Sequence, residues 1–126
     1  MTVTMEQMVT FKNNINYFNS LSLPLKSAYK LNKINKAVDK EVEFYAEKFQ
    51  EILNSYARKD ESGNYVMSED NSQILIEDGK AEECNKALEE LQNMEVEIDT
   101  YNLNIDDFGD IQCTPEQLDS IMPFME

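Results

Sequence analysis

The chain has 126 residues, a formal net charge of −14 and no histidine, and its length suits one domain with a modest core. The missing histidine removes the commonest general base and transition-metal ligand, and the acidic balance opposes direct binding to nucleic acid, because cations supply affinity for phosphates. We therefore expect a protein without enzymatic activity, metal or cofactor and, since no apolar run reaches about 18 residues, without a membrane span.

The first predicted helix covers residues 5–20. It follows a capping box, Thr4-Met-Glu-Gln7, in which the threonine hydroxyl and the glutamine side chain each accept a backbone N–H at the start of the helix. Apolar side chains then recur at approximately helical spacing, as expected for a helix with one buried face. They are Met5, Met8, Val9, Ile15 and Phe18.

The second predicted helix covers residues 24–58 and is the longest element of the chain. No glycine or proline interrupts residues 25–59, and apolar side chains advance in steps of three and four, which is the pattern of a heptad seam. The seam consists of Leu31, Ile34, Val38, Val42, Tyr45, Phe49, Ile52 and Tyr56. We expect the first helix and a third helix, residues 79–93, to cover it. The residues expected in that core are Ile34, Val38, Tyr45, Phe49 and Ile52.

A β-hairpin is predicted between the second and third helices. Turn-forming residues 58–64 end the long helix, and short apolar runs at residues 65–67 and 73–76 indicate two strands. The third helix carries apolar side chains on one face and glutamates on the other. The simplest arrangement is an αα-hairpin in which the long helix leads away, residues 59–78 form the tip, and the third helix returns.

The rest of the chain is acidic and less regular. Residues 94–98 alternate polar and apolar side chains, which indicates a strand or an extended arm. Residues 99–112 carry single apolar side chains between polar ones, as in an extended segment that pins itself to a surface. Thr114-Pro-Glu-Gln117 is a second capping box and begins a short helix at residues 115–122.

The predicted fold is therefore mostly α with minor β. Residues 1–98 form a long αα-hairpin with a small β-hairpin at its tip and a short N-terminal helix. Residues 99–126 form an extended acidic arm that ends in a short helix, and we expect both parts to belong to one domain.

Charge is distributed unevenly along the chain. Residues 1–76 hold ten acidic and nine basic side chains, whereas residues 77–126 hold fifteen acidic and two basic ones. Five lysines share one broad face of the long helix: Lys26, Lys30, Lys33, Lys36 and Lys40. Such a lysine face is either simply solvated or an acceptor surface for an acidic partner. The nearest acidic partner is the C-terminal half of this chain, in the same molecule or in a neighbour. Because the third helix is too short to cover the whole seam of the long helix, we expect a homo-oligomer, most simply a two-fold dimer with each acidic arm near the lysine face of its neighbour.

The acidic arm contains a second set of candidate partner-binding residues: Leu103, Ile105, Asp106, Asp107, Phe108 and Asp110. If the arm mimics nucleic acid, its carboxylates carry the binding. If it anchors a partner, its apolar side chains are the hot spots. We favour anchoring, because apolar residues recur every two to three positions, which a purely electrostatic surface does not require.

Five short blocks of sequence occur in a characteristic order through most of the chain. They are residues 4–8, residues 23–30 before the long helix, residues 85–91, residues 95–98, and Thr114-Pro-Glu-Gln-Leu118 before Pro123-Phe124. In these blocks the chain resembles a family of small, acidic, uncharacterised proteins of tailed bacteriophages and prophages. The resemblance implies a phage gene product that acts in the cytoplasm of an infected bacterium or in the virion, and it supplies no catalytic residues.

These observations favour a non-enzymatic protein-binding module of phage origin. It would be a minor virion or assembly component, or an accessory factor, with a protein partner that the sequence does not identify. The alternative is an acidic inhibitor of a host defence or nucleic-acid enzyme, whose carboxylates occupy a basic groove in place of nucleic acid.

Overall fold

The computed structural model describes residues 1–126, and the fold is mostly α with minor β, as predicted. The four α-helices are α1 (Met5–Asn19), α2 (Leu25–Tyr56), α3 (Ala81–Gln92) and α4 (Pro115–Ile121). Their bounds agree with the predicted helices to within two residues. None of them combines the length and the apolar character needed to cross a membrane.

The two β-strands pair with each other although they are far apart in sequence. Strand β1 (Thr2–Thr4) is antiparallel to β2 (Glu95–Glu97), with Val3 opposite Val96. The alternation of residues 94–98 indicated a strand or an extended arm, and the structure contains β2 there. Strand β1 was not predicted, because its three residues, which end at the helix cap Thr4, are too few for a recognisable strand pattern. The pair joins the beginning of α1 to the chain that follows α3, and Met5 N–H donates to the Met94 carbonyl at 3.0 Å.

The chain divides into two compact units, Met1–Glu43 with Asn93–Glu126, and Phe44–Gln92. The first unit contains most of the buried core. Helix α1 begins at the predicted capping box, where Gln7 N–H donates to the Thr4 hydroxyl at 3.2 Å and Thr4 N–H donates to the Gln7 side chain at 2.9 Å. It then buries one face, which consists of Met5, Met8, Phe11, Ile15 and Phe18.

Aromatic contacts connect α1 with the C-terminal part of the first unit. The Phe11 and Phe124 ring centroids are 4.8 Å apart, and those of Phe18 and Phe108 are 5.8 Å apart. Residues 99–126 are therefore part of this core. The seam of α2 contributes Leu31, Ile34 and Val38 to the same unit, all buried.

The second unit buries much less, and here the predicted core is wrong. Tyr45, Phe49 and Ile52 are only half-buried, and the buried apolar side chains of the unit are Ala57, Cys84 and Leu91. The only other helix of this unit is α3, with 12 residues. It buries only Cys84 and Leu91, so the seam has little apolar surface to pack against.

The predicted hairpin tip is held by single residue pairs and does not form continuous strands. Met67 pairs with Ile74 as the hairpin requires, but Ala57 also pairs with Ile76, and Lys59 with Tyr65. Three short extended segments thus lie side by side directly after α2. Each is too short to extend the ladder beyond these bridges.

Candidate functional site

Two of the predicted partner-binding residues in the acidic arm belong to the core of the chain itself. Leu103 and Phe108 are buried. The Leu103 N–H donates to the Phe124 carbonyl at 2.7 Å, and Glu126 N–H donates back to the Leu103 carbonyl at 3.1 Å. The prediction that Leu103 and Phe108 face a partner is therefore wrong, because the segment pins itself to its own molecule through these side chains.

Asp107 and Lys30 also face each other within the molecule, and their side chains are largely buried. The Lys30 ammonium donates to the Asp107 carboxylate at 3.3 Å, and Asn104 N–H donates to the same carboxylate at 2.8 Å. Burial raises the pKa of Asp107, but these hydrogen bonds outweigh burial and bring the pKa below its ordinary value. Both residues are thus structural, and one contact between the lysine face and the acidic half is made within the chain.

The ionised form of Asp107 should stabilise the fold. A carboxylate with a depressed folded-state pKa contributes stability that is present above the unfolded pKa, about 4, and is lost as the pH falls through the folded value. We expect Asp107→Asn to lower the free energy of unfolding at pH 7 by about 1–3 kcal/mol, and the difference from wild type to shrink below about pH 4. Urea denaturation across this pH range measures it. The exposed neighbour Asp106→Asn is the control, and a pH-independent loss would contradict the prediction.

The remaining arm candidates, Ile105, Asp106 and Asp110, are exposed. Ile105 is 73% exposed. It lies on a cleft with a volume of about 390 Å³. The cleft is also lined by the side chains of Leu118, Met122, Met125, Asp106 and Glu126 and by the buried Leu103. We call this the acidic cleft. It belongs entirely to the first unit.

Three local features place the apolar side chains around the acidic cleft. A 3-10 turn at Ile105–Phe108 buries its last residue and leaves its first in solvent. Helix α4 is held at its start by a capping box, with Gln117 N–H donating to the Thr114 hydroxyl at 3.1 Å. Leu118 and Met122 then stand four residues apart and share one side of the helical turn. The positions of the lining side chains are therefore determined by local backbone structure, that is, by the 3-10 turn and by helix α4.

The electrostatic character of the acidic cleft is uniform. Asp106 and Glu126 lie on it, and no basic residue occurs anywhere in residues 87–126. A concave apolar surface with negative charge at its edge suits an apolar side chain flanked by cations, because burial supplies affinity and charge supplies orientation and selectivity.

The lysine face remains largely exposed. Lys26, Lys33, Lys36 and Lys40 are exposed, and none of them takes part in the six ion pairs of the molecule. Two apolar side chains share this surface. Leu25, the first residue of α2, is 88% exposed, and the half-exposed Tyr29 ring lies 5.5 Å from the Lys33 ammonium.

Sequence reasoning missed Leu118, Met122 and Met125 as parts of the acidic cleft. The stretch that contains these three residues was interpreted only as a short helix and the end of the chain, and not as part of a binding surface. The available signal was the four-residue step from Leu118 to Met122, which places two apolar side chains together. Whether that pair faces the core or solvent is decided by residues that pack from elsewhere in the chain.

Comparison with protein families finds a match over most of the chain. The family described as "Protein of unknown function (DUF1617)" matches residues 24–118, which include α2, α3, the 3-10 turn and the first part of α4. No curated protein matches the chain, and no solved structure matches it.

Proposed function

The chain belongs to the DUF1617 family, and we propose that it is a non-enzymatic protein-binding module of phage origin whose binding site is the acidic cleft. It would serve as a minor virion or assembly component, or as an accessory factor, in the virion or in the cytoplasm of an infected bacterium. The phage origin rests on the sequence blocks described above. The binding role rests on the structure of the cleft.

The observation that carries the proposal is the exposure of large apolar side chains around one concave surface. Ile105 and Met122 are more than half exposed, and Leu118 is partly exposed. Single exposed apolar residues are common, but a contiguous patch with a polar edge is typical of an interaction site. Binding energy at such surfaces comes chiefly from a few buried anchors, which Ile105 and Met122 would become on binding.

Photocross-linking from position 122, in the producing bacterium and in purified virions, tests this proposal. We expect a defined cross-linked protein that is lost when Ile105→Ser is added, because the serine removes the apolar anchor. The matched control is Met67→Ser, which alters an exposed methionine of the second unit. A cross-linking pattern that Ile105→Ser and Met67→Ser leave equally unchanged would contradict the proposal.

A second candidate is an acidic inhibitor that mimics nucleic acid. The absence of basic residues from residues 87–126 and the exposure of Asp106 and Asp110 favour it. Under this alternative, Asp106→Asn with Asp110→Asn would abolish partner binding and Ile105→Ser would change little. Under the leading proposal the order of the two effects is reversed.

A further inference from the structure

We propose that the acidic cleft is occupied by the lysine face of a second copy of this chain. The inference rests on the proposed function, because it names the occupant of the same site. It assigns the contact to Leu25, Tyr29 and the exposed lysines of α2 on one copy, and to the acidic cleft on the other.

The first argument is that neither the apolar nor the acidic side chains of the acidic cleft have a partner within one copy. Its apolar side chains, Ile105 and Met122 above all, are left in water. Its acidic side chains, Asp106 and Glu126, take no part in the ion pairs of the molecule. A matching occupant must therefore offer an apolar side chain with cations close beside it.

The second argument is that the lysine face offers this combination. Leu25 is almost fully exposed and is followed directly by Lys26. Tyr29 stands one helical turn further on, with its ring 5.5 Å from the Lys33 ammonium and 5.8 Å from the Tyr101 ring of the same molecule, and half of it stays exposed. Leu25, Tyr29 and Lys33 follow each other at four-residue steps and so share one side of α2. An exposed leucine at a helix end provides a compact anchor for a cleft of about 390 Å³.

The third argument is that the molecule already uses the same pairing once. Lys30 of this face and Asp107, the neighbour of Asp106, form an intramolecular ion pair. The other four lysines of this face and the two acidic side chains of the cleft, Asp106 and Glu126, form no ion pair within one copy. A second copy supplies partners for both at once.

The two surfaces are different patches of the first unit, which determines the assemblies that are possible. If two copies exchange the contact about a two-fold axis, each cleft receives the other's lysine face and a closed dimer results. If the contact is made in one direction only, it produces a ring or an open chain.

Salt dependence alone is a poor test of this proposal. Each copy carries a net charge of −14, so added salt weakens the general repulsion between copies as well as the local attraction. Exchanging the charges of the two surfaces separates these effects, because it tests which residues face each other.

The experiment uses two double variants of the full chain, each checked first for an unchanged circular dichroism spectrum. Asp106→Lys with Glu126→Lys reverses the cleft, and Lys33→Glu with Lys36→Glu reverses the lysine face. Sedimentation velocity over a concentration series gives the dissociation constant. We expect wild type to self-associate, each double variant to weaken self-association by about tenfold or more, and an equimolar mixture of the two to restore it.

Matched controls change the same number of charges on the second unit. They are the exposed pair Lys59→Glu with Lys86→Glu, and the exposed pair Glu69→Lys with Glu77→Lys. We expect both to change the dissociation constant by less than about threefold, since long-range effects of net charge are screened at physiological salt. Leu25→Ser and Ile105→Ser should each weaken association, and Met67→Ser should not.

Several results would overturn the proposal. These are a wild type that stays monomeric throughout the series, a mixture that fails to restore association, or controls that disrupt association as strongly as the cleft variants. A foreign protein cross-linked at position 122, together with monomeric wild type, would leave the protein-binding function standing and reject the second copy as its partner. This proposal and the proposed function are tested separately. Sedimentation of the purified chain tests self-association without any foreign partner, whereas cross-linking from position 122 tests whether the acidic cleft binds a protein at all.

Discussion

Replacing Phe124 by alanine should lower the free energy of unfolding by about 3–5 kcal/mol, the range for a large aromatic side chain removed from a core. Phe124 is fully buried, and its ring packs 4.8 Å from that of Phe11. Its carbonyl accepts the Leu103 N–H, a backbone hydrogen bond that the substitution leaves in place. The loss would therefore report side-chain packing. Urea denaturation followed by circular dichroism measures it.

Met122 provides the matched control for this prediction. It lies two residues away in the same 3-10 turn, Met122–Phe124, and its side chain is 52% exposed. We expect Met122→Ala to cost less than about 1 kcal/mol, as most exposed substitutions do. Similar losses from the two variants would mean that the C-terminal segment is not part of the core.

Two isoleucines of a single helix, Ile34 and Ile52, should differ clearly in their contribution to stability. Both belong to the apolar seam of α2, but Ile34 is fully buried and Ile52 is only half-buried. We expect Ile34→Ala to lower the free energy of unfolding by about 2–5 kcal/mol. Ile52→Ala removes the same atoms and should cost clearly less, because part of its side chain already contacts water.

The same denaturation measurement tests this contrast, since the two substitutions are chemically identical and lie on one helix. Equal losses at both positions would show that the second half of the seam is as well covered as the first. That result would restore the original expectation of a continuous core along the helix.

The sequence was sufficient for features whose causes are local. The capping boxes at Thr4 and Thr114 depend on side-chain and backbone groups three residues apart, and both are present in the structure. The length of α2 depends on the absence of glycine and proline and on a regular apolar spacing. Its predicted bounds, 24–58, compare with Leu25–Tyr56 in the structure.

The acidic cleft could be predicted only in part. Ile105 and Asp106, two of the predicted partner-binding residues, are exposed, but Leu103 and Phe108 were assigned to the same surface and are buried. All three apolar residues have similar neighbours in sequence. They differ because Leu103 pairs with Met125 and Phe108 meets Phe18, while no such contact covers Ile105.

The sequence by itself thus determined the helices, their caps and the separation of a lysine face from an acidic half, because hydrogen bonds within a few residues and side-chain periodicity are local properties. Only the tertiary structure decided which apolar residues are buried, that β1 pairs with β2, and that Asp107 is held by Lys30. Burial and pairing depend on segments brought together from distant positions in the chain. The free energy of those contacts therefore cannot be inferred from the residues adjacent in sequence.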